Sequence, residues 1–309
     1  MKQSQHEPYE ECVWHPEDLN KLQPPFNPEG LYPIKFSPDN GVNVPPEKIR
    51  EQVAENIRRQ LPQAYPHPIN KETIALVCGG PSLAKTEKEL VEAYWAGAKV
   101  VAVNGSYQWC IDRNIKPSAM VMLDARQFNS RFVKTPIPGC RYMLASQCHP
   151  NAFDLCKDRD ILIWHCCTGG DDEYEMLKQY YFDRVMPIGD GTTVAIKAIG
   201  LLCMLGFQSF DIFGLDSCWL DDSHHGYDQP ENNRDGRVAV WLRPKDHDDL
   251  ACRFECAPWM MQQQQDFMNL IKNHGDKFRL NVRGNGLIAA TMRLSALLGS
   301  MVTPEQEEK

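Results

Sequence analysis

The sequence predicts an open α/β fold, a mostly parallel sheet with helices on both faces, preceded by a Pro-rich N-terminal arm. Three observations carry that expectation. Four apolar runs stop abruptly at small or polar residues: 74–78 before Gly79-Gly80-Pro81-Ser82, 100–103 before Asn104, 120–123 before Asp124, and 210–215 before Asp216. Continuous apolar runs of this length are how parallel strands buried on both faces read. From Thr73 onward, strand and helix signals alternate at the spacing of βαβ units, so right-handed crossovers are the economical topology. Finally, 192–205 is a nearly all-apolar helical stretch (Val194, Ile196, Ile199, Leu202, Leu205), which requires burial against a sheet face.

Taken in order, residues 1–70 hold twelve of the 22 prolines, which remove backbone donors and break regular elements, so this segment reads as an extended arm. One helix interrupts it at 47–61, with Pro46 at its start, acids early and Arg58-Arg59 late, as the helix dipole favours. The arm is expected to wrap the core or a neighbouring subunit, a route to a homo-oligomer. Strands are expected at 74–78, 99–103, 119–123, 142–145, 161–165 and 209–213, with a late one at 278–282. Helices are expected at 84–96, 106–113, 151–157, 173–181, 192–205 and 258–274. Residues 217–256 read as a lid or insertion, because long irregular segments rich in histidine and aromatics inside a compact domain are usually functional. The domain is expected to run over 71–295, and 296–309 to be a flexible tail.

Composition excludes several classes. The chain of 309 residues is 42% apolar and 24% charged, ordinary for a globular protein, and no stretch approaches the roughly 20 apolar residues of a membrane span. Residues 1–20 lack the basic start and apolar core of a secretory signal, so a cytoplasmic protein is expected. The twelve cysteines are scattered through strands and helices and read as reduced thiols. A net charge of −8 argues against broad nucleic-acid binding, which needs a dense basic face.

The chemistry is expected where the strands end, because the carboxyl ends of an open α/β sheet form its ligand crevice. Gly79, Gly80, Pro81 and Ser82 read either as a loop whose amides cradle an anion or as a tight turn with Ser82 as N-cap. The loop is not a P-loop, no G-x-G-x-x-G occurs, and the second strand ends in Asn104 rather than the acid of a dinucleotide site, which disfavours a dehydrogenase. Asp124 and Asp216 read as Mg²⁺ ligands or as turn caps, and Arg126 beside Asp124 reads as its partner or as a phosphate ligand. Gly191, Thr192 and Thr193 open the apolar helix as a second amide-rich terminus. His224 and His225, in the loop after the Asp216 strand, are candidate acid, base or phosphate ligands. The Cys252-x-x-x-Cys256 spacing matches no structural zinc site.

The runs ALVCGGPSL, VVAVNGSYQWCIDRNIKPSAMVMLDAR and IGDGTTVAIKAIGLLCMLGFQSFDIFGLDS, in this order, resemble the MptE-like 6-hydroxymethylpterin diphosphokinase family. HHGYDQPEN, CAPWMMQQQQDF and GNGLIA resemble its phage-encoded members in particular. The resemblance implies a Rossmann-like domain and Mg²⁺-dependent transfer of diphosphate from ATP to a pterin hydroxymethyl group. It implies that Gly79, Gly80, Pro81 and Ser82 form the nucleotide loop, Asn104 and Asp124 the next strand-end positions, and Gly191, Thr192 and Asp216 the distal motif. The G-x-D strand end is also similar to bacterial sialyltransferases that use a CMP-sugar, so glycosyl transfer is the competing expectation. A non-catalytic phage-associated binding module is the third.

Overall fold

The computed structural model describes residues 22–26, 44–167, 170–189, 191–229, 236–244 and 247–300. The rest of the expected arm, Asp190, part of the expected lid and residues 301–309 of the expected tail lie outside the described residues, as does any arm-mediated oligomer contact through them.

In chain order the elements are β1 (Leu22–Phe26), α1 (Pro46–Ile57), β2 (Asn70–Val77), α2 (Glu87–Trp95), β3 (Lys99–Val103), α3 (Ser106–Ile111), β4 (Ala119–Met122), β5 (Arg141–Ala145) and α4 (Pro150–Leu155). They continue with β6 (Asp160–Trp164), α5 (Asp171–Tyr181), α6 (Val194–Met204), β7 (Phe207–Phe213), β8 (Val238–Pro244), β9 (Cys252–Cys256), α7 (Pro258–His274), β10 (Arg279–Val282) and α8 (Leu287–Ser300). Seven strands form one parallel sheet in the order β10-β7-β2-β3-β4-β5-β6. The protein is thus a Rossmann-like α/β fold. Every residue of β4, and all of β3 after Lys99, is buried, as strands covered on both faces must be. The chain adds strands outward from β2 to β6, then returns to place β7 on the other side of β2. The strand order therefore reverses between β2 and β7, and that point is where open α/β sheets bind ligands.

Two findings differ from the sequence expectation in ways that position the site. The first concerns α1, which is part of the domain rather than an interruption of a free arm. Its buried Ile49, Val53 and Ile57 join the main core. On the same side, Gln52 (3% exposed) donates to the carbonyls of Ala125 (3.1 Å) and Gln147 (2.9 Å). Asn56 (0% exposed) donates to those of Ser146 (2.9 Å) and Cys148 (2.7 Å). These carbonyls belong to the loops that leave β4 and β5, so α1 fills the crevice over that half of the sheet. The open half is the one above β7, β2 and β3.

The second concerns 217–256 and the C-terminus. Part of the expected lid is β8 and β9, which pair antiparallel and take β1 on the far edge of β8. This small sheet shares a second core with α7 and α8 through Trp219, Val240, Leu242, Met260, Leu287 and Leu294. The helix α8 runs to Ser300 with Ala296 and Leu298 buried, so the expected tail from 296 begins as packed helix. Among the described residues no helix is long and apolar enough to cross a membrane, and the described cysteines are free thiols.

Candidate functional site

The turn after β2 is held by a buried carboxylate. The Gly80 amide donates to the Gly214 carbonyl (2.7 Å), and the Ser82 amide to Asp216 Oδ2 (2.8 Å). Asp216 is 2% exposed and occupies a hole that glycines leave open. A Cβ on Gly80 would collide with its Oδ2, and one on Gly286 would lie 2.5 Å from its Oδ1. The Gly80 and Ser82 amides are therefore spent on the fold, and Ser82 neither caps α2 nor lines the cleft.

Burial pushes the Asp216 carboxyl from its ordinary 3.8 to about 6, against the Ser82 amide, which favours the charged form. A carboxyl whose folded pKa is raised binds its proton more tightly in the native state. Its contribution to stability is therefore present below about pH 4 and is lost as pH rises through about 6. The expected result is that Asp216→Asn, whose carbonyl still accepts from Ser82, removes this slope. The melting-point difference between wild type and variant should favour wild type most at pH 4 and shrink by pH 6.5, a change on the order of 1–3 kcal/mol. A pH series of thermal melts reads it.

The start of α6 is strapped to α7. Asp266 Oδ2 accepts from both the amide and the hydroxyl of Thr192 (2.7 Å each), and Gln262 donates to Asp266 Oδ1 (2.7 Å). Gln263 donates to Thr193 Oγ1 (2.9 Å) and accepts from the Ser217 hydroxyl (2.8 Å). Gly191, with φ +84°, makes the sharp entry to the helix. Asp266 thus takes the Thr192 amide, while Thr193, Val194 and Ala195 line the cleft.

The segment after Ser217 folds back over the β2 turn. The Gly79 carbonyl accepts from the Gly226 amide (3.0 Å) and pairs with His225 Nδ1 (2.8 Å). A carbonyl only accepts, so this contact fixes the Nδ1–H tautomer and makes Nε2 the basic nitrogen. Tyr227 stacks on the His225 ring (5.4 Å, 9°). The same tyrosine explains two glycines: a Cβ on Gly79 or Gly105 would fall 2.6–2.7 Å from its ring or hydroxyl. His224 packs between Trp219 (4.5 Å) and His225 (4.4 Å). Ion pairs Lys85–Asp221 (2.7 Å) and Arg237–Asp222 (2.7 Å) flank this segment.

These parts line an open cleft at the ends of β2, β3 and β7. Of the residues singled out from sequence, Gly79, Gly80, Pro81 and Asn104 line it from the β2 and β3 ends. Thr193, Asp216, His224 and His225 line it from the other side. Ser82, Gly191 and Thr192 stand behind the wall. Asp124 is not brought there: it sits at the end of β4, beside α1, and both its oxygens accept from Arg126 (2.6–3.2 Å). Asp124 and Asp216 therefore do not form a two-carboxylate metal site, and no cluster of three metal-ligating side chains occurs among the described residues. Nothing in the local sequence gives a role to Asp266, Gln263 or Gly105, and Tyr227 stands there only as part of the HHGYDQPEN run. The placement of Asp266 three and four residues after Gln263 and Gln262 is the available signal, together with the glycine after Asn104.

An open parallel sheet with a cleft at its reversal point, roofed by a histidine-bearing segment, defines a Rossmann-like α/β protein. Residues 47–222, more than half of the chain, match the family model described as "6-hydroxymethylpterin diphosphokinase MptE-like", and the chain belongs to that family. No curated protein matches it in sequence. Among solved structures it is similar to the MAf glycosyltransferase from Magnetospirillum magneticum AMB-1, with TM-score 0.56 and 11% identity over 84% of this chain and 43% of that one. The chain thus spans less than half the length of that protein, and the likeness is one of fold. A mammalian sialyltransferase solved with Gal-beta-1-3GalNAc-ortho-nitrophenol aligns at TM-score 0.38 and 9% identity over 81% of this chain and 89% of that one, too low to carry an argument.

Proposed function

We propose that the protein is a nucleotide-dependent transferase of MptE-like type that moves diphosphate from ATP to the hydroxymethyl group of a small acceptor such as a pterin. The observation that carries this reading is the meeting, in one cleft at the sheet's reversal point, of the bare Gly79–Gly80 turn, the α6 N-terminus and His225. The positive end of α6 favours an anion at Thr193–Ala195, and no lysine or arginine lines the cleft among the described residues. In the reaction the acceptor oxygen attacks the β-phosphorus of ATP, the bond from that phosphorus to the bridging oxygen of AMP breaks, and AMP leaves. His225 Nε2 takes the hydroxyl proton. Charge neutralisation and positioning supply the rest. Mg²⁺, travelling with the triphosphate, would offset its charge.

A second reading is supported by Asp124, whose engagement with Arg126 leaves the cleft, among the described residues, with a single, buried carboxylate. That suits a metal-independent glycosyltransferase using a nucleotide sugar, and the similar MAf protein is described as a glycosyltransferase. A thermal-shift panel separates the two, since a ligand that binds only the native state raises its melting point. Stabilisation by ATP with Mg²⁺, followed by AMP release in the presence of hydroxymethylpterin, is the expected result. Metal-independent stabilisation by a CMP-, UDP- or GDP-sugar, with none by ATP, would replace the first reading with the second. No stabilisation by any nucleotide would leave a binding module without transferase chemistry.

A further inference from the structure

Asn104 ends β3 with φ +46°, a left-handed conformation that asparagine tolerates better than most residues. Its amide donates to the Val121 carbonyl (3.0 Å) and its carbonyl accepts from Tyr107 (3.2 Å), so the backbone is fixed. The side chain lines the cleft beside the Gly79–Gly80 turn, and its Oδ1 is buried without a hydrogen-bond partner. Several polar groups of the cleft wall are already matched: Thr193 with Gln263, Gln263 with Ser217, and the Gly80 amide with Gly214. A buried acceptor left unmet is costly, and its complement is a donor on a bound molecule.

Position narrows that donor. In a βαβ nucleotide site the end of the second strand, about 20 residues past the glycine turn, is where a side-chain acceptor meets the ribose. Asn104 stands 24 positions after Gly80, at the end of the strand adjacent to β2. With phosphates at the α6 N-terminus, the group one step further along a nucleotide is its sugar. A neutral amide also suits a cleft that holds several phosphate charges and offers no lysine or arginine among the described residues, where a carboxylate would add repulsion.

We propose that Asn104 determines specificity for ribonucleotides by accepting a ribose hydroxyl at Oδ1, an inference that rests on the nucleotide reading above. Calorimetric titration of the full chain with ATP and CMP, each as the ribo, 2′-deoxy and 3′-deoxy form, tests it. At least one deoxy form should bind wild type about tenfold more weakly, the size of one hydrogen bond lost at a buried acceptor. Asn104→Gly keeps the left-handed backbone and removes the side chain, and it should bring the forms to equal affinity. A purely structural role would weaken all forms together and leave their ratio unchanged. Equal affinity of all three forms for wild type, or a ratio that survives in Asn104→Gly, overturns the inference alone. Absence of any binding by ATP or CMP overturns it together with the nucleotide reading.

Discussion

Replacing His225 with asparagine is expected to lower kcat by about 10²- to 10⁴-fold, the usual worth of a positioned general base. The choice of asparagine matters. Its amide N–H can still donate to the Gly79 carbonyl, the contact through which His225 Nδ1 ties the roof segment to the β2 turn at 2.8 Å. Removing the whole side chain, as in His225→Ala, also loses that tether, worth about 0.5–1.5 kcal/mol. The two variants therefore separate proton transfer from closure. If His225 acts as the base, both lose turnover to a similar extent, and only the alanine variant also raises KM. A base located elsewhere leaves the asparagine variant with near-normal kcat. The readout is steady-state AMP release together with the melting point, which should move little in the asparagine variant.

Gly80→Ala is expected to damage the site severely. The residue has φ −71°, so the requirement for glycine is not one of backbone conformation. It is one of space, because the added methyl would lie 2.7 Å from the Gly214 carbonyl and collide with Asp216 Oδ2. Neither neighbour can yield cheaply: Gly214 accepts the Gly80 amide, and Asp216 holds the Ser82 amide inside a fully packed hole. Overpacking of this kind costs about 1–3 kcal/mol, and parting Asp216 from Ser82 adds the penalty of a buried polar group left unmet. A fall in the melting point of several degrees and loss of nucleotide binding should be seen together. Gly189→Ala is the matching control, since nothing lies within 4 Å of the methyl it would add. Calorimetric unfolding of the two variants reads the contrast, and equal melting points would contradict this account of the turn.

The parallel sheet was legible because its strands are buried on both faces, which leaves an unmistakable mark: Val100–Val103 and Ala119–Met122 have no room for a polar side chain. The same logic located the strand ends, and with them Gly79, Asn104 and Asp216. What it missed were partnerships between distant segments. Gln52 and Asn56 look like solvent-facing helix residues until α1 sets them against carbonyls more than 70 positions away. That docking closes the crevice above β4 and β5, and Asp124 is left to pair with Arg126 two residues on, one of the alternatives the local sequence had left open. Asp266 and Gln263 lie in a run of glutamines that reads as ordinary helix surface, and their role emerges only where α7 crosses the start of α6. The strand β8 alternates buried and half-exposed residues, β9 buries only Cys256, and both sit among charges, so they read as loop.

On the proposed function, a nucleotide occupies the cleft above β7, β2 and β3, and α1 denies it the other half of the sheet. Amide hydrogen exchange with and without saturating ATP and Mg²⁺ tests it directly. The account predicts slowed exchange at 79–83, 191–197 and 224–229, and none at 123–126 or 146–148. Protection confined to the latter pair of segments, beside Asp124 and Arg126, would contradict it.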